Sequence, residues 1–89
     1  MSLRPYTDSL KNNIKVRVFK STLNESELKW HRDENKRYIK VISGHNWKIQ
    51  LEDNFPVTLI EGKTYFVNSQ KWHRLIKGQS DLTIKIKEI

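Results

Sequence analysis

The sequence predicts an all-β fold, a small sandwich or barrel of short strands. Apolar and polar residues alternate with period two along most of the chain, which is typical of strands with one buried face. Turn-forming groups separate the alternating segments, and no segment carries a sustained helical period. Short strands spaced in this way favour a closed barrel or a two-sheet jelly roll, because both arrangements protect strand edges.

Each expected strand rests on its own alternation. In the first clear strand, apolar residues alternate with Lys15 and Arg17, and in the last they alternate with Thr83, Lys85 and Lys87. The alternating segments cover residues 14–18, 38–41, 47–51, 57–59, 64–67 and 82–87. Residues 43–46 and 52–56 predict turns or loops, and residues 23–29 could form a helical turn. Residues 1–12 lack a clear pattern, and they could form an arm that adds a strand to this subunit or to a partner.

Length and composition limit the class of protein. A chain of 89 residues forms one domain with a thin core, so pairing into a homodimer would help to bury apolar surface. There are no cysteines, which excludes disulfides and Cys-ligated zinc sites. The sequence contains no apolar leader and no apolar run of membrane length, so we expect a cytoplasmic protein without a membrane segment.

The formal net charge of +7 raises the question of a polyanionic partner. The lysines, however, are spread along the chain and alternate with apolar residues, as in residues 84–87. This pattern is typical of solvated strand faces, whereas a docking site for nucleic acid clusters its charges. The sequence therefore argues against nucleic acid as a partner.

Three residues in two short motifs form a candidate metal site. His31 and Asp33 are two residues apart, so on a strand they would project from the same face. A later strand could bring His73 beside them. Two imidazoles and one carboxylate are the facial ligand set of non-haem Fe(II) oxygenases, and this set leaves coordination positions open.

The same stretches resemble the motifs of the cupin family, the small double-stranded β-helix or jelly-roll barrels. The first cupin motif has two histidines two residues apart, then a glutamate and a glycine, and the matching positions hold His31, Asp33, Arg37 and Gly44. The second motif has a glycine, a proline, a glycine and a histidine, and the matching positions hold Gly62, Asn68, Gln70 and His73. The match spans residues 30–78, and the resemblance implies a single cupin domain over residues 1–89.

The resemblance also implies a site inside the barrel. There His31, Asp33 and His73 would hold a divalent metal, which could be Fe(II), Mn, Zn or Ni. Arg37 falls at a position that usually binds metal in the family, but a permanently charged guanidinium cannot be a ligand. It would instead hold the carboxylate or phosphate of a small anionic molecule. The other candidate substrate-binding residues are Trp47, Gln50 and Tyr65.

Other interpretations remain open for these residues. Asp33 could pair with Arg37 while both histidines bond to neighbours or water, without any metal. Alternation predicts that Trp30 and Trp72 face outward, where they could mark a dimer interface or be covered by the N-terminal arm. They could equally form a second layer of core packing.

The sequence leaves three classes of function. The chain could be a metal-dependent enzyme that acts on a small anionic molecule, for example a dioxygenase-like one. It could bind such a molecule without metal or reaction. It could also be a structural or assembly module with a degenerate site. The resemblance does not decide among them, because one fold hosts many functions.

Overall fold

Two antiparallel sheets enclose one hydrophobic core, which confirms the all-β prediction. The structure is a computed structural model that describes residues 4–89. In chain order the strands are β1 (Tyr6–Lys11), β2 (Ile14–Phe19), β3 (Arg37–Ser43), β4 (Lys48–Leu51), β5 (Val57–Thr58), β6 (Thr64–Val67), β7 (His73–Ile76) and β8 (Leu82–Glu88). A 3-10 helix, Glu25–Glu27, lies between β2 and β3. Among the described residues, no helix has the length and apolar character needed to cross a membrane.

The order of the strands is that of a jelly roll. The larger sheet runs β1-β2-β8-β3-β6 and the smaller sheet runs β5-β4-β7. The last strand, β8, lies between β2 and β3, so distant parts of the chain are neighbours in the sheet. A single bridge between His31 and His73 extends the smaller sheet beyond β7. This bridge fixes where the candidate site lies.

The core sits between the inward faces of the two sheets. Strand β3 shows the alternation most clearly, because Arg37, Ile39 and Val41 are buried while the residues between them are exposed. The buried apolar residues are Phe19, Leu23, Ile39, Val41, Trp47, Ile49, Leu59, Val67, Leu82, Ile84 and Ile86. Burial of these side chains supplies most of the driving force for folding.

The N-terminal segment adds a strand to its own subunit. Strand β1 pairs with β2 in a hairpin whose two loop residues, Asn12 and Asn13, have φ values of 52° and 64°. Asparagine tolerates this left-handed conformation, which two-residue hairpin loops require. The arm expected at residues 1–12 could have added a strand to this subunit or to a partner, and in the structure β1 pairs within its own subunit. Residues 1–3 lie outside the described part of the chain.

One local expectation is corrected and another is confirmed. The strand expected through His31 and Asp33 is wrong, because only His31 forms a bridge and the polar run after it has no apolar alternation to anchor a strand. The helical turn expected in residues 23–29 is a single 3-10 turn. The side chain of Asn24 accepts a hydrogen bond from the Ser26 N–H, and Glu27 accepts one from the Asn24 N–H, which caps this turn.

Candidate metal centre

The side chains of His31, Asp33 and His73 converge on one point. One potential ligand atom from each residue lies within 4.8 Å of the others. The imidazole rings of His31 and His73 meet edge to face, with centroids 4.2 Å apart and an interplanar angle of 61°. His73 is buried, Asp33 is half-buried and His31 is exposed, so the cluster opens to solvent on the side of His31.

Backbone hydrogen bonds hold the three residues in place. The His31 N–H donates to the His73 carbonyl at 3.0 Å, and the His73 N–H donates to the His31 carbonyl at 2.9 Å. The Gln70 N–H donates to the Asp33 carbonyl at 2.7 Å. The two histidines are therefore directly opposed across an antiparallel bridge, and the turn before β7 fixes Asp33 against them.

The two imidazoles are oriented as metal ligands usually are. Nδ1 of His31 lies 3.1 Å from the Lys29 carbonyl oxygen, and Nδ1 of His73 lies 2.8 Å from that of Lys71. A carbonyl oxygen only accepts, so we assign the proton of each neutral ring to Nδ1, and Nε2 keeps its lone pair. A histidine that ligates through one nitrogen commonly donates from the other to a backbone carbonyl.

The Asp33 carboxylate is only partly satisfied. Its Oδ1 lies 3.3 Å from Nη2 of Arg37. Its Oδ2 is buried, lies 3.3 Å from Nε2 of His73, and has no hydrogen-bond partner among the described residues. With a proton on Nδ1, the His73 lone pair faces this oxygen, which is unfavourable unless a cation or a hydrogen-bond donor lies between them. A divalent ion would supply that cation, and the donor set therefore fits one.

The neutral form of His73 is favoured by its surroundings. Burial lowers the pKa of His73, and the electrostatic effects of the neighbouring His31 and Arg37 side chains act in the same direction. The hydrogen bond to the Lys71 carbonyl and the charge of Asp33 oppose this shift without reversing it. A neutral imidazole is the form that binds a metal ion.

Arg37 is buried next to the cluster and pairs with two carboxylates. Its Nη2 atom lies 2.9 Å from Oε1 of Glu88 and 3.3 Å from Oδ1 of Asp33. The pairing of Asp33 with Arg37, which was one of the alternatives left open by the sequence, is therefore present in the structure. Glu88 could not be anticipated as the second partner, because β8 is brought beside β3 only by the fold. Holding Oδ1 with Arg37 leaves Oδ2 as the free oxygen of Asp33.

A cavity of about 440 Å³ adjoins the cluster. His31, Asp33 and Arg37 lie on its wall together with apolar side chains, of which Phe19, Leu28 and Leu75 are the largest. A small molecule in this cavity would contact His31 and Asp33 directly. The cavity is therefore the natural place for a ligand of the cluster.

The other three candidate substrate-binding residues do not line this cavity. Trp47 is fully buried in the core, where its Nε1 donates to the Ser80 carbonyl at 2.7 Å. Gln50 accepts a hydrogen bond from Nε of Arg74. Tyr65 bonds through its hydroxyl to the backbone of Thr58 and Ile60, on the wall of a second cavity. A substrate contact for these residues stays a prediction.

Trp30 and Trp72 face outward and lie beneath arginines. His31 and His73 are paired in an antiparallel bridge, so the residues next to them are also opposite each other. Trp30 therefore lies opposite Arg74, and Arg32 lies opposite Trp72. The Arg74 guanidinium lies 4.8 Å from the Trp30 ring centroid, and that of Arg32 lies 5.3 Å from the Trp72 ring. Both tryptophans remain 40% exposed. These two cation–π pairs brace the bridge that carries the histidines; the homodimer stays a prediction.

Sequence reasoning missed Arg17 as part of the cavity wall. Arg17 is buried, its Nε and Nη2 donate to Asp8 at 2.8 and 3.1 Å, and its guanidinium lies 3.7 Å from the Tyr6 ring centroid. This arrangement holds Arg17 and Tyr6 on the cavity wall. The alternating pattern placed Arg17 on the solvated face of its strand. One feature of the sequence could have indicated the ion pair: a hairpin with a loop at Asn12 and Asn13 places Asp8 opposite Arg17.

The Asp8–Arg17 pair predicts acid sensitivity. Desolvation raises the pKa of Asp8, but the hydrogen bond and charge of Arg17 outweigh it and hold the pKa below the ordinary 3.8. A lowered native pKa stabilises the fold above the ordinary value, and this stability is lost as the pH falls through the native pKa. We therefore expect Asp8→Asn to lower the free energy of unfolding at about pH 6 and to have a smaller effect below about pH 3. Urea unfolding across this pH range checks it, and a difference between the two proteins that does not change with pH would contradict it.

The fold and the ligand cluster together define a cupin-fold protein with a two-histidine, one-carboxylate cluster. No protein-family model and no curated protein matches the sequence. Solved structures do match: an RmlC-like cupin family protein with a double-stranded β-helix fold from Methanocaldococcus jannaschii aligns with a TM-score of 0.66 at 16% identity, covering 94% of this chain and 79% of the other.

Two further similar structures belong to larger proteins. The Fe(II) form of HppE aligns with a TM-score of 0.71 at 16% identity, and 94% of this chain covers 50% of the HppE chain. A structure of DMSP lyases aligns with a TM-score of 0.70 at 18% identity, and 82% of this chain covers 35% of that chain. This chain thus spans about a third to a half of these two proteins. At such identities the likeness shows the fold.

Proposed function

We propose that this chain is a small metalloprotein that binds one divalent ion through His31, Asp33 and His73. The observation that carries the proposal is the orphaned, buried Oδ2 of Asp33, which lies 3.3 Å from Nε2 of His73 while Nδ1 of His73 lies 2.8 Å from the Lys71 carbonyl oxygen. Two imidazoles and one carboxylate suit Fe(II), and the same donors also take Mn, Zn or Ni. A bound ion would act as a Lewis acid with open coordination positions.

We further propose that the adjoining cavity takes a small anionic molecule as ligand or substrate. Four cationic side chains at the cavity, Arg17, Lys29, Arg32 and Arg37, are balanced by the carboxylates of Asp8, Glu27, Asp33 and Glu88. A divalent ion would make this neighbourhood net positive, which favours an anion. Phe19, Leu28 and Leu75 would contact an apolar part of the same molecule.

Oxygen-dependent chemistry on such an anion is the reaction class that we propose to test first, since non-haem Fe(II) oxygenases use this ligand set. In this scheme Arg37 is a positioning residue. It holds Oδ1 of Asp33 so that Oδ2 points at the two histidines. The apolar wall of the cavity would limit water around the bound molecule. The Fe(II) form of HppE shares the fold, which supports this choice.

A metal titration with a matched pair of variants tests the proposal. Calorimetric titration with Fe(II) under anaerobic conditions is expected to give one site per chain. Asp33→Asn removes the charged ligand and is expected to weaken binding at least about tenfold. Glu34→Gln removes the same charge from the exposed neighbouring side chain and is expected to leave the affinity unchanged. Equal losses in both variants, or no binding by the wild type, would favour a metal-free binding or assembly module instead.

A further inference from the structure

The outer face of the larger sheet gathers lysines and aromatic rings. On β3 and β8 the buried residues alternate with exposed ones, so the residues between the buried positions point away from the core. Tyr38, Phe66, Lys40, Lys85 and Lys87 lie on this side, and we call them the lysine–aromatic face. Tyr38 and Phe66 are 43% and 45% exposed. Their ring centroids lie 5.2 Å apart.

The lysines of this face are brought together by the fold and lack counter-charges. Lys40 on β3 lies directly opposite Lys85 on β8, and Lys87 lies opposite Tyr38. The outward positions of the five strands of the larger sheet hold no carboxylate. The ion pairs within the described residues involve cationic side chains other than Lys40, Lys85 and Lys87. Like charges directly opposite each other in a sheet are destabilising. This face therefore carries an electrostatic cost that an anionic partner would relieve.

The charge also restricts the kind of partner. A second copy of this chain docked symmetrically on the same face would place one lysine cluster against another, which disfavours self-association. A polyanion that carries aromatic rings matches both features, because phosphates pair with lysines and bases stack on exposed rings. We infer that the lysine–aromatic face binds single-stranded nucleic acid without strong sequence preference.

This inference reverses the expectation from the sequence for a structural reason. Along the chain, Lys40 and the pair Lys85 and Lys87 are more than forty residues apart, and each alternates with apolar residues. Antiparallel pairing of β3 with β8 places them side by side. The pairing of β3 with β6 then sets Phe66 beside Tyr38. The proposed metal site lies on the inner side of the sheet, so the two proposals are independent.

The test is fluorescence anisotropy of a labelled single-stranded oligonucleotide of about fifteen nucleotides, oligo(dT) or oligo(U), titrated with the full chain. We expect binding at about 50 mM salt that weakens steeply as the salt concentration rises. Lys40→Gln with Lys85→Gln is expected to weaken binding about tenfold and to make the logarithmic salt slope shallower by about 1.4. The control, Lys48→Gln with Lys71→Gln, removes two lysines near the smaller sheet and is expected to leave both quantities unchanged.

The melting temperature of the Lys40/Lys85 double variant and one further substitution, Phe66→Leu, test protein stability and base stacking. The Lys40/Lys85 double variant is expected to melt at a higher temperature than the wild type, because it removes a like-charge pair, so unfolding cannot explain its weaker binding. Phe66→Leu keeps an apolar side chain and removes the π face. It is expected to weaken binding severalfold without changing the salt slope.

Four results would overturn the inference. These are no anisotropy change with the wild type at about 50 mM salt, equal losses in the two double variants, equal competition by poly-L-glutamate at the same charge concentration, and cosedimentation with phosphatidylserine vesicles in place of oligonucleotide binding. The third would assign the face to an acidic protein segment. The fourth would assign it to an anionic lipid surface.

Discussion

His73→Ala is expected to weaken metal binding more than about 100-fold, because loss of a hydrogen-bond partner of a ligand already costs about 10–100-fold and this change removes a ligand itself. Nε2 of His73 lies 3.3 Å from the orphaned oxygen of Asp33. Without the imidazole, Asp33 and His31 would be the remaining donors of the cluster. Isothermal titration with Fe(II) or Mn(II) measures the change.

Two further histidine variants separate ligation from folding. His73 is buried, so its removal also alters packing, but His31 is exposed and His31→Ala leaves the core intact. We expect His31→Ala to lose metal affinity to a similar degree with little change in melting temperature. His45 is an exposed histidine in a turn, and His45→Ala is expected to bind metal as the wild type does. Retained affinity in both His31→Ala and His73→Ala would contradict the assignment.

Trp47→Ala is expected to have the largest effect on stability, about 3–5 kcal/mol. The indole is fully buried, packs 5.8 Å from Phe19 by ring centroids, and donates to the Ser80 carbonyl. Gly78 lies so close to the indole that an added Cβ there would contact Trp47 Cδ1 at 2.5 Å. A chain of this length has a total stability of roughly 4–13 kcal/mol, so this one change could remove much of it.

Chemical denaturation measures this loss, and another tryptophan provides the control. Trp72 is 40% exposed and contacts the Arg32 guanidinium, so we expect Trp72→Ala to cost about 1–2 kcal/mol. The contrast between the two variants tests whether Trp47 is the centre of the core. Equal destabilisation by the two substitutions would contradict this role.

The fold was predictable because its signals are local. Alternation in residues 14–18 and 82–87 identified β2 and β8, but it assigned Arg17 to the solvated face of β2, whereas the structure buries this side chain. The strand expected at His31 and Asp33 failed because that segment lies at the end of the smaller sheet. There a single bridge and the turn before β7, rather than a ladder, hold the chain.

The three residues of the ligand cluster could be named from the sequence, but the electrostatics of the site and most of its cavity wall could not. The spacing of His31, Asp33 and His73 suggested that they would meet, and they do. The partners that set their chemistry could not be anticipated. The carbonyls of Lys29 and Lys71 fix the imidazole tautomers, and Glu88 holds Arg37 from the far end of the chain. Such contacts depend on backbone geometry and strand order, which no sequence period encodes.

The most direct test of the metal centre locates the ion by NMR. Mn(II) added below one equivalent broadens the amide signals of residues near the bound ion. We predict that the signals of residues 31–33 and 72–74 disappear first, while those of β5 (Val57–Thr58) and the hairpin at Asn12 remain sharp. Broadening centred elsewhere, or no selective broadening in the wild type, would contradict the assignment of His31, Asp33 and His73 as a metal site.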